Sequence, residues 1–221
     1  MGIPAIIAAL PREVRAFVRG VQPDPAQKRA GVYVYRLPGA VVVCAGMGAV
    51  RAGMAVQAAL GAGEISVLVS AGLAGGCDPG LAVGRVMEAR TVVDSASGER
   101  FETECGGDCG VLVTSHAIAG VREKERLFAT YGAGLVDMEA ATVARMAVMH
   151  GLPFRAIKAV SDAHDFELSS LSRFATVHGH FRTGAFALHT AVRPASWRHA
   201  MKLGSGSQLA LLGLTEALKQ L

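Results

Sequence analysis

Aromatic residues are scarce in this chain: they make up 5% of 221 positions, with a single tryptophan. Its core must therefore come from aliphatic side chains and close backbone packing. A hydrophobic content of 51% and 27 glycines supply both, which suits a Val/Ala-rich, mostly parallel sheet and excludes a disordered or fibrous chain. Cysteines number four. Cys44 and Cys77 sit in or beside apolar runs and read as small core residues. Cys105 and Cys109 are separated by Gly-Gly-Asp, a spacing that fits no standard zinc pattern and would need two further ligands. No metal or organic cofactor is called for, and nothing demands an oxidising compartment. No apolar run approaches the roughly 18 residues that would suggest a spanning helix. The segment Met1–Phe17 lacks a basic n-region and a cleavage site, so it reads as a first buried strand and not a signal peptide. Charge is nearly balanced, 22 basic against 18 acidic residues, a surplus of +4 that is too small to argue for nucleic acid. The expected location is the cytoplasm. The length suits one α/β domain spanning 1–221.

In chain order, Ile3 to Leu10 reads as a strand stopped by Pro11, with a helix opening at Arg12-Glu13-Val14. Residues 22–30 are polar and read as a loop. Gly31–Leu37 and Ala40–Ala45 form a predicted hairpin around Pro38-Gly39. Gly46-Met47-Gly48 then opens an Ala-rich helix. Its glycine spacing, G-x-G-x-x-x-x-G, is not that of a dinucleotide-binding loop, and no acid ends the next strand, Ile65–Ala71. A glycine turn that lets a ligand approach the backbone remains the reading. Ser70-Ala71-Gly72-Leu73-Ala74-Gly75-Gly76 is a second glycine-rich strand end, a thin wall for a flat group. Gly84–Val93 is the next strand, residues 94–110 a surface loop, Val111–Thr114 a short strand, and Val121–Thr130 a helix.

One stretch then concentrates the chemistry. From Gly134 to Asp165 the pattern is strand, helix, strand. Glu139 falls in the first turn of the helix, and Asp162 just beyond the apolar run Phe154–Val160. Open α/β sheets bind ligands outside the carboxyl ends of their strands. One short unit therefore delivers two carboxylates to one crevice, and Glu13 lies at another such end. Taken singly, an acid at a helix start merely complements the helix dipole.

The tail differs. Leu168 to Thr215 has no Asp or Glu, but carries Arg173, Arg182, Arg193, Arg198 and Lys202 with four histidines and interleaved Phe and Trp. The expected elements are a helix over about Phe181–Val192, a break at Pro194, a short helix, a further break at Gly204-Ser205-Gly206-Ser207, and a final helix. An ordinary cover helix with a basic face accounts for this composition. A surface resting on the anionic inner face of a membrane, or receiving a greasy ligand, is the sharper alternative.

Asp137-Met138-Glu139-Ala140-Ala141, Leu152-Pro153-Phe154 and Lys158-Ala159-Val160-Ser161-Asp162 together resemble the signature of the nucleoside phosphorylase/nucleosidase superfamily. The purine-cleaving branch is typified by methylthioadenosine/S-adenosylhomocysteine nucleosidases. The resemblance implies a three-layer αβα sandwich on a mixed, mostly parallel sheet, and cleavage of a purine–ribose bond. It implies that Asp162, held by Ser161, protonates the base at N7. Glu139 would hold a ribose hydroxyl and Met138 would pack on the sugar. Glu13 would position and deprotonate the attacking water. Ala71, Gly72, Leu73 and Gly46 would approach the ligand, and the segment with Ile118 and Ala119 would hold the base. A proton donor at neutral pH needs a raised pKa, which a partly apolar crevice supplies. Asp162 is expected at a crevice rim, so that Asp162→Asn costs activity and little stability.

The departures from that pattern are informative. Phosphorolytic relatives carry an arginine where Ser70 stands, and a Gly-Asp-Pro-x-Arg-like segment where this chain has Leu10-Pro11-Arg12-Glu13. That favours water over phosphate, although Arg12 and Arg51 leave a phosphorylase as the alternative. Leu73 replaces a serine of the methylthioadenosine enzymes, and the segment after Val93 is short. In these respects Ala71–Pro79 and Arg193-Pro194 are similar to the hopanoid-associated phosphorylases, a branch linked to removing adenine from adenosylhopane. The expected ligand is thus a 5′-substituted adenosine, with a thioether or a long hydrocarbon at the 5′ position. A homodimer or larger homo-oligomer is implied. A non-catalytic nucleoside-binding protein is the alternative of another class.

Overall fold

The computed structural model describes residues 2–105, 110–167 and 197–221, and in the last stretch the side chains from residue 203 onward. Its first half runs β1 (Ile3–Ala8), α1 (Pro11–Val14), α2 (Pro25–Arg29), β2 (Tyr33–Leu37), β3 (Ala40–Cys44), α3 (Ala49–Leu60) and β4 (Ile65–Gly76). The second half runs β5 (Val86–Asp94), β6 (Arg100–Glu102), β7 (Gly110–Thr114), α4 (Val121–Tyr131), β8 (Ala133–Asp137), α5 (Ala140–Met149), β9 (Phe154–Asp162) and α6 (Trp197–Leu218).

The strands form one mixed sheet in the order β2-β3-β1-β4-β8-β7-β5-β6, with β9 pairing both β4 and β5. The β1–β3, β1–β4, β4–β9, β5–β7 and β7–β8 pairings are parallel. Because β4 also meets β8, and β9 meets β5, the circuit β4-β9-β5-β7-β8 closes on itself. That closure draws the ends of β8 and β9 onto the glycine-rich end of β4.

Strand alternation builds the layers. In β1, Ala5 and Ile7 face the cluster that holds Ala52, Ala55 and Val56 of α3 with Val143 and Ala147 of α5. Ile6 and Ala8 face the opposite cluster, with Val14 after α1 opens and Ala210, Leu214 and Leu218 of α6. Helices thus cover both faces, as the αβα expectation requires. Among the described residues no helix is long and apolar enough to cross a membrane.

Four local expectations need correction. The loop at 22–30 contains α2, because Asp24 caps it, accepting from the Ala26 and Gln27 amides, with Pro25 at the first helical position. The loop at 94–110 contains β6, which pairs antiparallel with β5. The glycine-rich segment Gly72–Gly76 is not a loop after β4 but its last five residues, paired with β9 and β8. Gly204-Ser205-Gly206-Ser207 is no break: α6 runs through it. A side chain at Gly206 would come within 2.8 Å of the Ser161 carbonyl oxygen and 2.9 Å of Val83. That glycine serves close helix-to-strand contact, not helix termination. The predicted helix near Phe181–Val192, the break at Pro194 and most of the basic aromatic surface lie outside the described residues, as does Cys109. Cys105 is disulfide-bonded, which removes it from consideration as a metal ligand.

Candidate active site

A cavity of about 480 Å³ opens where β1, β4, β8 and β9 end, roofed by α6. Glu13, Asp137, Glu139 and Asp162 all face it. Each is placed by a different piece of backbone.

Glu13 lies in α1 immediately after β1 and is 6% exposed. Its carboxylate accepts from the Leu10 amide at 2.8 Å and from the Leu73 amide, across the sheet on β4, at 3.2 Å. Gly72 makes the second contact feasible. Its φ of +151° is one that side chains rarely adopt, and a Cβ there would stand 3.3 Å from a Glu13 carboxylate oxygen.

Glu139 stands at the N-terminus of α5 without capping it. It accepts instead from the Gly48 amide at 2.7 Å, and Gly48 holds a φ of +86° that presents this N–H. The glycine turn before α3 therefore serves one of the protein's own carboxylates. Asp137, on β8, takes the capping role, accepting from the Ala140 amide at 2.9 Å and from the Thr114 hydroxyl at 2.7 Å. Lys158, 2% exposed in the middle of β9, meets Asp137 at 2.8 Å. Burial alone would depress the Lys158 ammonium, but the charges of Asp137 and Glu139 outweigh it and hold it above its ordinary range. For Glu139 the balance goes the other way. Burial, then the Asp137 charge, push its carboxyl up to about 7, against the pull of Lys158 and the Gly48 amide. This carboxyl sits near its titration point at neutral pH.

Asp162 ends β9. The Ser161 hydroxyl lies 2.5 Å from its Oδ1 and 3.2 Å from the Ala74 carbonyl. Its Oδ2 accepts from Lys124 of α4. The expectation that Asp162 sits at a crevice rim is overturned here. Asp162 is 4% exposed and Lys124 fully buried, so this is an ion pair inside the protein. Asp162→Asn would strand a buried ammonium, and the expected harmlessness to stability does not hold.

Of the residues singled out from the sequence, Glu13, Glu139, Asp162, Met138, Ser161, Leu73, Ile118 and Ala119 all line the cavity. Gly46, Ala71 and Gly72 are not in its wall. Gly46 spends its N–H on the Ala9 carbonyl and its neighbour Met47 takes the place. Ser70 is buried in the sheet, away from the wall, so its identity does not act on a ligand by contact. Lys124, Asp137 and the α6 residues Leu203, Ser207, Gln208 and Leu211 were missed. Lys158 carried a signal, a lone cation inside an apolar strand. Lys124 carried a weaker one, three residues before the buried Leu127 on the same helix face.

This arrangement offers two chemically distinct ends. One has Ser161 and Asp162 beside a fixed ammonium. The other has Glu13 and Glu139, with Asp137 and Lys158 behind them. Leu73, Met47, Ile118 and Leu211 add apolar lining. Such a cavity can place an acid and a base on a small, partly apolar ligand. Among the described residues no group of His, Cys, Asp and Glu side chains is arranged to hold a metal ion.

No curated protein matches the chain. Solved structures do. The apo 5′-methylthioadenosine nucleosidase of Arabidopsis thaliana is 18% identical, with a TM-score of 0.74 over 100% of this chain and 94% of that one. The 5′-methylthioadenosine/S-adenosylhomocysteine nucleosidase of Neisseria meningitidis, in complex with methylthio-immucillin-A, is 16% identical with a TM-score of 0.72, covering 99% and 97%. The futalosine hydrolase of Helicobacter pylori is 16% identical with a TM-score of 0.68, covering 100% and 98%. At these identities the likeness is one of fold. The family model described as the phosphorylase superfamily matches residues 4–110 and 108–192, and the chain belongs to that superfamily.

Proposed function

We propose that the protein hydrolyses the N-glycosidic bond of a purine nucleoside, releasing adenine from a 5′-substituted adenosine. The observation that carries this reading is the pairing of ends in one cavity: Asp162 with Ser161 at one, Glu13 and Glu139 at the other. In such a cleavage positive charge builds on the sugar and negative charge on the departing base. Asp162 gives a proton to N7, its O–H bond breaking as the N–H bond forms. The C1′–N9 bond breaks and its electron pair stays on the base. A water oxygen bonds to C1′ and its proton passes to Glu13. Glu139 takes a ribose hydroxyl and stabilises the sugar cation. Such acid–base assistance contributes typically about 10²–10⁴-fold for each proton moved.

Water is favoured over phosphate by charge. Four carboxylates face the cavity, and the only cations in its described wall are Arg12 and Lys124, of which Lys124 is taken by Asp162. An entering phosphate dianion would meet repulsion, whereas a sugar cation meets attraction. The wall formed by Leu73, Met47, Leu203 and Leu211 suits an apolar 5′ group. A thioether fits that description, and so does a longer hydrocarbon of the adenosylhopane kind. The exposed Leu209 and Leu212 on α6 favour a substrate presented from a greasy surface. The outer faces of α3 and α5 expose Val50, Met54, Val148 and Met149, which supports association with a second copy.

The test is adenine release from methylthioadenosine, S-adenosylhomocysteine and a long-alkyl 5′-adenosine, each with and without phosphate. Phosphate-independent release from at least one is the expected result, and the preferred 5′ group identifies the branch. Release that requires phosphate would make the protein a phosphorylase. Tight adenine binding without turnover would make it a binding protein.

A further inference from the structure

The Lys124 ammonium has three N–H donors and three acceptors around it: Asp162 Oδ2, the Ala163 carbonyl at 2.8 Å and the Phe166 carbonyl at 3.3 Å. It is fully buried. A lysine needs none of this to hold α4 in place, since Leu127 on the same helix already packs into the core. Nor is the pair a random contact. Gly75 of β4 leaves the space it occupies: a Cβ there would stand 3.1 Å from Lys124 Cε, 3.2 Å from Asp162 Oδ2 and 3.3 Å from Val136.

The two oxygens of Asp162 are thereby made unequal. Oδ2 is held by a cation that cannot turn away without losing three hydrogen bonds. Among the described residues Oδ1 has one partner, the Ser161 hydroxyl, whose one hydrogen has a second acceptor in the Ala74 carbonyl. When Oδ1 is bare, Ser161 donates to it. When Oδ1 carries a proton, Ser161 can donate to Ala74 instead. Oδ1 is thus the oxygen able to exchange a proton with a ligand.

We infer that Lys124 is a positioning residue for the acid: it fixes Asp162 so that Oδ1 meets the base, and it supplies the counter-charge for the carboxylate left when that proton moves. This rests on the proposed role of Asp162. No atom is added to the chemistry. The Asp162 O–H bond breaks, the base N–H bond forms, and the negative charge that appears on Asp162 does so beside a cation already in place, with no reorganisation required. Both charges of the pair act on Cys77, whose thiol burial pushes up to about 12 against the pull of Lys124, and Glu123 on α4 is engaged by Arg126.

The experiment compares Lys124→Met, Asp162→Asn and the double variant, in adenine release from the best substrate across pH. Lys124→Met should lower kcat at least tenfold with KM little changed. It should also move the alkaline limb of the kcat profile up by roughly one to three pH units, because the carboxylate has lost its counter-charge. The double variant, which strands no charge, should be no slower than Asp162→Asn alone. A purely structural lysine would lower the active fraction and leave the limb in place, and that result overturns the inference, as does an added loss in the double variant. If Lys124→Met does not fold, Gly75→Ala keeps both charges and presses on their contact. It should lower kcat and move the same limb, and an unchanged profile overturns the inference. Activity in Asp162→Asn within about tenfold of the wild type would instead sink the acid assignment itself.

Discussion

Glu139→Gln should make the ligand-free protein more stable above neutral pH. Glutamine keeps the acceptor for the Gly48 amide and removes the charge that burial and Asp137 oppose. Below pH 4.5, the ordinary value, this carboxyl is protonated in both folded and unfolded chains. As the pH rises from there to about 7, the unfolded chain ionises while the folded site keeps its proton. Stability therefore falls with rising pH across that window, and above it the folded state bears the whole cost. A rise from 4.5 to about 7 corresponds to on the order of 3 kcal/mol, an upper figure for a side chain that is not fully shielded from water. Urea unfolding of the wild type and Glu139→Gln at pH 4 and pH 8 reads it directly. The two should be close at pH 4 and separate by about 2–3 kcal/mol at pH 8, with the variant the more stable. Contributions from other groups, such as Asp94 with its carboxyl held near 2, cancel in the difference. A gap that is equal at both pH values, or a variant weaker at pH 8, would refute the electrostatic reading. The same variant should lose base release, since the charge that destabilises the empty site is the one that would meet the sugar cation.

Other substitutions separate structure from chemistry. Asp162→Asn should slow base release at least about a hundredfold, to a measurable residual rate, and also cost about 3–5 kcal/mol of unfolding free energy, because Lys124 is left buried without its carboxylate; retained stability in chemical denaturation would show the pair to be unimportant. Gly72→Ala should lower both stability, by roughly 1–3 kcal/mol, and kcat, since it forces a strained φ and presses on the Glu13 carboxylate. Ser70→Ala should be neutral or stabilising by about 1 kcal/mol in thermal unfolding, because its buried hydroxyl finds no partner among the described residues. It should leave phosphate dependence unchanged, since Ser70 is not in the cavity wall.

The unit from β8 to β9 was legible because its strands are continuous apolar runs with an acid at each carboxyl end. Physical rules read those features directly. The small residues were harder. Gly72–Gly76 resembles a loop in sequence, yet it pairs on both sides as strand, since its neighbours, the Asp162 carboxylate and the Glu13 carboxylate, leave no room for side chains. Gly206 resembles a helix stop for the same reason, and it is a contact point between α6 and Ser161. The carboxylates of the site could be found by their place at strand ends. Their counter-ions were less legible: Lys158 stands out as a lone cation in an apolar strand, but a lysine on the polar helix α4 has only its spacing to Leu127 to mark it, and nothing local says that Asp162, 38 positions later, will bury it. Asp137 opens the motif, but its role at the start of α5 is not visible there. Its partners Thr114 and Lys158 come from two other strands, a relation that exists only after the sheet has closed.

The central claim, that water and not phosphate completes the cleavage, is tested most directly by the origin of the oxygen at C1′. Turnover of the preferred 5′-substituted adenosine in ¹⁸O-labelled water, with phosphate present in excess, should yield free adenine and a sugar carrying one ¹⁸O at C1. A sugar 1-phosphate bearing no water-derived label would contradict the account.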